Sequence, residues 1–355
     1  MTNENVLENV FMHFRRETCI FMGKEKAITI KDVARAAQVS ISTVSRFINT
    51  PDSVSEKLKE RIDKAIKDLG YRPNRIGQSL RTGSTKLIGF IIPDITNPAF
   101  LLIVKGAEDY LKKHGYSFIL CGSDHSVREE SKLLRALISQ GVDGLIVTCS
   151  GGHNSELNKI LSAQQMHIVF VDRKYERVPT AYVGADNYSG LEKMMDYLVQ
   201  TGHKSFVYLC GEKQVSSAKE RLAGFLNGVK KYGIEDYQVL FGEFTFESGY
   251  SLTKTLRKVP DAIVAGNDLM AFGTIQALRE KGYKVPEDVS VVGFDDMFFS
   301  KYYKPSLTTI RQPIYNMGRK AGRMLLSLMS GKKVKNKNVI LDTEIVVRNS
   351  TKSRN

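Results

Sequence analysis

Seven short apolar runs set the strongest limit on the fold of this chain. KLIGFIIPD, YSFILCGSD, DGLIVTC, HIVFVDR, SFVYLCG, DAIVAGND and VSVVGFDD all lie after residue 85, and amphipathic stretches of helical period separate them. Short apolar strands alternating with helices predict parallel βαβ units. Several runs end in Asp, Asn or Arg, which puts polar groups at the carboxyl ends of strands, where open α/β sheets bind ligands.

The N-terminal part follows a different rule. Thr29 followed by Asp32 reads as an N-cap with an acidic partner, and Ile30, Val33, Ala34 and Ala37 repeat at helical spacing. Val39 fills a turn, Ser40 caps a second helix, and Val44 and Ile48 form its inward stripe. Helices this short need a third element to pack on. SVSEKLKERIDKAIKDLGY supplies it, with Leu58, Ile62, Ala65, Ile66 and Leu69 on one face, Ser53 or Ser55 at its start and Gly70 at its end. The outer face of the second helix is left with Ile41, Ser42, Thr43, Ser45, Arg46 and Asn49. In a helix-turn-helix these positions meet base edges or phosphates. A plain three-helix bundle with a solvated polar face is the alternative.

Charge favours a nucleic-acid partner. The chain carries a formal +14, and between Met22 and Lys86 there are 14 Lys and Arg against 7 Asp and Glu, so half of the excess sits beside the helix pair. The four cysteines, Cys19, Cys121, Cys149 and Cys210, lack zinc-ribbon spacing and are read as reduced, mostly as small buried hydrophobes. No apolar run approaches the roughly 20 residues of a membrane span, and the start lacks the apolar core of a signal peptide, so a cytoplasmic protein is expected. Residues 1–21 match nothing that follows, and an extension up to residue 27 is set aside as disordered.

The sequence is similar to the LacI/GalR family of bacterial transcription regulators from about Ile28 to Val347. The likeness rests on DVARAAQVSISTVSRFIN, LGYRPN, SLRTGSTKLIGFIIPDITNP, GVDGLIV, GHKSFVYL, RLAGF, GNDLMAFG, VSVVGFDD and LTTIRQP, in that order. It implies an α/β protein with a small all-α helix-turn-helix domain (28–72), a hinge (73–85) and a two-lobed periplasmic-binding-protein-like body of parallel sheets (86–349). The lobes are expected at about 86–202 with 315–336, and 203–314 with 337–349. Double-stranded operator DNA is the expected partner, contacted by Thr29, Ser40, Ile41, Ser42, Thr43, Ser45, Arg46, Asn49 and Ser55.

The resemblance also implies that residues 74–80 fold into a hinge helix only on DNA, with Asn74, Arg75, Leu80 and Arg81 in contact. A one- or two-turn helix does not recover its nucleation cost in water, which agrees. Two positions depart from many relatives: Gln38 stands where Gly is common, read as a turn without a left-handed residue, and Gly77 replaces a hinge Ala.

Likeness to ribose-binding members of the fold implies an effector pocket built by Asn97, Phe100, Asp172, Arg173, Arg221, Phe246, Asn267, Asp295 and Gln312. Carboxylates and guanidinium groups suit vicinal hydroxyls, and aromatic rings suit C–H faces. Ala99 replaces a second aromatic, which points to a bulkier sugar or a sugar acid. The chain is expected to be a homodimer, because one helix-turn-helix reads a half-site. It has no G-x-S-x-G, Walker A or G-x-G-x-x-G motif and no metal-ligand His spacing, so no catalysis, cofactor or metal is expected. The other readings are a catabolite-control regulator with a phosphoprotein corepressor, and a transport binding protein, which the N-terminal helices oppose.

Overall fold

Asp32 starts the first helix, α1 (Ile30–Ala36), by accepting hydrogen bonds from the backbone N–H and the hydroxyl of Thr29 at 2.9 and 2.7 Å. Next come α2 (Ile41–Asn49), a short 3-10 turn (Pro51–Ser53) and α3 (Glu56–Leu69), which begins after Ser55 and ends on left-handed Gly70. Val33, Val44 and Ile62 are fully buried where the three helices meet, and Leu58, Ile66 and Leu69 pack around them. The computed structural model describes residues 28–71, 83–164, 166–175 and 179–355, in two units that divide between Arg81 and Thr82. The 1–27 extension and the hinge residues Asn74, Arg75, Gly77, Leu80 and Arg81 lie outside the described residues.

Gln38 corrects the reading of the turn. Its φ is +51°, so the left-handed conformation is kept and a residue with a Cβ adopts it. Arg61 of α3 holds the turn from across the core, donating from Nη2 to the carbonyl oxygen of Ala37 at 2.7 Å. An L-residue there costs about 1–2 kcal/mol, and glycine gives back roughly half of that gain through its freer unfolded chain. Gln38→Gly should therefore raise the opening free energy of α1–α3 amides by roughly 0.5–1 kcal/mol, read by native-state hydrogen exchange. A lower value would mean that contacts of the glutamine outweigh its backbone strain.

The second unit is two doubly wound lobes of the same strand order. The first contains β1 (Leu87–Ile92), α4 (Pro98–Lys112), β2 (Ser117–Gly122), α5 (Val127–Ser139), β3 (Gly144–Val147), α6 (Ser155–Ser162), β4 (Ile168–Val171) and β5 (Ala181–Ala185). The second contains α7 (Asn187–Gln200), β6 (Phe206–Cys210), α8 (Ser216–Lys231), β7 (Tyr237–Phe241), α9 (Phe246–Thr255), β8 (Ala262–Ala265), α10 (Asp268–Glu280), β9 (Ser290–Asp295) and β10 (Thr308–Arg311). The chain then returns to the first lobe for α11 (Ile314–Met329) and β11 (Asn338–Leu341), and ends in the second with β12 (Glu344–Val346). The sheets run β11-β5-β4-β3-β1-β2 and β12-β10-β9-β8-β6-β7. All pairings are parallel except β12, which is antiparallel to β10 and departs from the all-parallel expectation.

The lobe boundaries also differ from the expected ones. Helix α7 belongs to the second lobe, because Leu191, Met194, Met195 and Leu198 are buried in one cluster with Phe206 and Phe225. Strand β11 belongs to the first, since Asn338–Leu341 pair in register with Tyr182–Ala185. The chain therefore crosses between lobes after β5, after β10 and after β11. The body also starts earlier than residue 86: Asp143 accepts from the Ser84 hydroxyl at 2.5 Å and from the Thr85 N–H at 2.9 Å. In the first lobe α4 and α11 touch backbone to backbone, since a Cβ on Gly106 would strike the Tyr315 carbonyl and one on Gly318 the Ile103 carbonyl.

Candidate functional site

Two surfaces bring the predicted residues together, one in each unit. On α2, Ser40 Oγ accepts from the Thr43 N–H at 3.1 Å and lies 2.7 Å from Ser42 Oγ and 2.8 Å from Thr43 Oγ1. Val44 points inward, so Ile41, Ser42 and Arg46 stand exposed, and Thr43 and Ser45 are half-buried beside them. Ile41, 42 % exposed, stands beside three hydroxyls and a guanidinium on this face. Thr29 and Ser55 occupy the N-caps of α1 and α3, where helix N–H groups are free for phosphate oxygens. The side chain of Asn49 lies outside what is described.

The second surface is a cavity between the lobes, at the carboxyl ends of both sheets. Asn97, Phe100, Asp172, Arg173, Arg221, Asn267, Asp295 and Gln312 all line it. Phe246 does not. It is the first residue of α9, half-buried against the core of the second lobe. Phe244 takes the expected place, in the space left by Gly211 and Gly266, and its carbonyl accepts from Asn267 Nδ2 at 3.1 Å. Ala99, Ile103, Ser217 and Ile314 complete the wall and were not foreseen as pocket residues, apart from the open space noted at Ala99.

Two arginines dominate the site in opposite ways. Arg221 is fully engaged: Nε donates to Asn187 Oδ1 at 2.9 Å, Nη1 donates to the Gly266 carbonyl at 2.7 Å, and Nη2 lies 3.6 Å from Asp295 Oδ1. Its guanidinium also covers the Phe294 ring at 3.8 Å. Arg173 is 2 % exposed, yet its Nε and Nη1 make no hydrogen bond, and Asp172 is 3.9 Å away. Its guanidinium lies 5.3 Å from the ring of Phe100, from the first lobe, and 5.8 Å from that of Phe244, from the second. Buried donors without partners are rare in folded proteins, and each calls for an explanation.

The acidic groups are equally perturbed. Burial pushes the Asp295 carboxyl up to about 8, with Arg221 opposing and the Asp268 and Asp172 charges adding to the rise. Burial also raises Asp172, against the pull of Arg221 and Arg173. Gln312 donates from Nε2 to Asp295 Oδ1 at 2.6 Å and leaves its own Oε1 buried and unbonded. Asp172 and Asp295 have φ of +65° and +123°, a strain characteristic of binding sites. Asn97 and Asn267 act as N-caps as well, accepting from the Ala99 and Met270 N–H groups. The buried thiols are no nucleophiles: burial raises Cys149 far above its ordinary value and Cys210 to about 11. Among the described residues no three His, Cys, Asp or Glu side chains are grouped to hold a metal.

Comparison with known proteins follows the same division. Residues 29–74 match the family of bacterial regulatory proteins of the lacI type, and residues 195–351 match the periplasmic-binding-protein-like domain. The HTH-type transcriptional regulator RegA of Clostridium saccharobutylicum is 38 % identical over 331 residues, covering 92 % of this chain and 99 % of its own. The lac repressor dimer bound to operator and the anti-inducer ONPF superposes with a TM-score of 0.82 at 30 % identity, over 92 % of this chain and all of that one. The transcriptional regulator CelR in complex with cellobiose gives 0.70 at 31 % identity, over 91 % and 99 % of the two chains.

Proposed function

Since the chain belongs to the LacI family of bacterial regulatory proteins, we propose that it is a dimeric repressor whose interlobe cavity takes a sugar or sugar-derived effector. It is a DNA-binding transcription regulator and not an enzyme. The observation that carries the effector reading is Arg173, a buried guanidinium with two unbonded nitrogens between two aromatic rings, with Asp172 beside it and Asp295 across the cavity. Hydroxyl groups accept from the arginine and donate to the carboxyls, and the rings cover C–H faces. The cellobiose complex of CelR supports the same class of ligand. Calorimetric titration with a panel including D-ribose, cellobiose and sugar acids tests the reading. Saturable heat from one of them is expected; silence from all of them, with operator affinity raised only by a phosphorylated carrier protein, overturns it.

On the DNA side we assign base reading to α2 and phosphate contacts to the caps around Thr29, Ser40 and Ser55. Dimerisation matches a palindromic operator. The exposed Phe298, Phe299 and Tyr302, at 65, 57 and 61 %, support a self-association face on the second lobe. A regulator of bacterial operons works in the cytoplasm, and among the described residues no helix is long and apolar enough to cross a membrane.

Arg46 provides the direct test of the α2 assignment. Its exposed guanidinium has the fork that reads guanine O6 and N7. Arg46→Ala should lose about 1–3 kcal/mol of discrimination at one base position of an operator selected from random DNA, titrated at one fixed salt concentration. A uniform loss over all sequences would reassign Arg46 to phosphate.

A further inference from the structure

We propose that His125 and Glu212 form a latch across the mouth of the interlobe cleft, which sets how often the cleft opens. His125 follows β2 in the first lobe and Glu212 follows β6 in the second, and Nδ1 of one lies 2.9 Å from Oε1 of the other, a close approach whose angles fall short of a hydrogen bond. In their sheets β2 and β6 lie on the side away from β5, β11, β10 and β12, where the three crossovers run. Rotation of one lobe about the crossovers separates this pair further than any contact near the crossovers. The inference concerns the motion of the lobes and stands whatever ligand the cleft takes.

The backbone around the pair is built to hold it. Asp124 and His125 are consecutive left-handed residues, at φ of +49° and +55°, and the His125 N–H is tied to the Pro93 carbonyl at 3.1 Å. Alongside, the loop 149–153 reaches across to the turn carrying Glu212. Gly151 and Gly152, at φ of +94° and +74°, lie so close that a Cβ on Gly151 would be 3.3 Å from the Gln214 carbonyl oxygen and 3.2 Å from Val215 Cγ2. That loop is pinned from behind by the buried Glu130, which accepts from the Ser150 N–H at 2.7 Å and from Asn154 Nδ2 at 2.8 Å. Ser123 Oγ and Ser150 Oγ, 2.8 Å apart, join it to the His125 turn. Glu130 has no place in the cavity wall, and the latch accounts for its burial.

The surroundings favour the carboxylate form of Glu212. Burial works against ionising Glu212, but the contact with His125 and the nearby charge of Arg173 outweigh it and hold the carboxyl below its ordinary value. Arg173, from the end of β4, is the other charged group facing the carboxylate, and Asp124 and Lys213 are the chain neighbours of the pair.

Hydrogen exchange by mass spectrometry on the full chain, without added ligand, tests this with a readout in the lobe opposite each substitution. Glu212→Gln should speed exchange in 149–153, and His125→Glu, which sets two carboxylates together, should speed it in 211–215. We expect several-fold increases for both, and wild-type protection in His125→Lys. Unchanged exchange in the opposite loop for both Glu212→Gln and His125→Glu overturns the latch. So does a change confined to the substituted loop.

Discussion

Arg221→Ala will destabilise the body of the protein by about 3–5 kcal/mol and remove its response to effector, while operator binding by the folded fraction persists. The magnitude follows from the buried acceptors and the ring that the guanidinium leaves without a partner, at about 1–3 kcal/mol for each unsatisfied group. Asn187 Oδ1 and the Gly266 carbonyl lose their donor, and the Phe294 ring loses the cation 3.8 Å above it. Asp295 loses the one positive charge that favours its ionisation. The helix-turn-helix has its own core around Val33, Val44 and Ile62 and needs none of these contacts to fold. Urea unfolding gives the first number and calorimetry the second. The double variant Arg221→Ala with Asp295→Asn should be more stable than Arg221→Ala alone, because the buried acid left without its guanidinium neighbour is gone. A double variant no more stable than Arg221→Ala would show that the cost lies in packing and in the other lost hydrogen bonds.

Asp295→Asn, in contrast, should make the protein more stable and flatten its dependence on pH. In the native state this carboxyl titrates near 8, against about 4 in the unfolded chain. Between those values the folded protein holds a proton that the unfolded chain has released. The stabilisation from Asp295 is therefore complete below about pH 4 and is lost as pH rises towards 8. Asparagine carries no charge at any pH, keeps an acceptor for Gln312 Nε2 and tolerates left-handed φ better than most residues. At about 1.4 kcal/mol per unit of pH, the fall in stability between pH 5 and 7 should shrink by on the order of 1–2 kcal/mol in the variant. The same change should weaken effector binding, since an amide offers ligand hydroxyls one oxygen acceptor where the carboxyl offers two. Parallel stability curves for the two proteins would remove Asp295 as the source.

What could be read from the sequence followed from local chemistry. Asp172, Arg173, Asn267 and Asp295 end apolar runs, and a strand end in a doubly wound lobe points at the cleft, so their convergence needed no contact map. Phe244 was missed because two phenylalanines stand one residue apart in FTFES. The choice between them is made by Thr245, which caps α9 through the Ser248 N–H at 3.1 Å and turns Phe246 into the helix and away from the cavity. The lobe boundaries were missed for a different reason. Pairing of β11 with β5 joins residues some 150 positions apart, and nothing in either segment names its partner. Gln38 was misread because the residue that braces its turn, Arg61, is on another helix.

The three crossovers also fix the order in which the molecule can be made. Neither lobe is a continuous stretch of chain: the first needs α11 and β11, and the second needs β12. As a chain leaves the ribosome, the helix-turn-helix at 28–71 has every residue of its core after about a fifth of synthesis, and it can fold while the rest is still being translated. The first lobe must wait, with the edge of β5 uncovered, until residues 338–341 emerge almost at the end. A nascent or prematurely terminated chain therefore carries a finished DNA reader attached to an unfinished sheet with an open edge, the kind of surface on which chains aggregate.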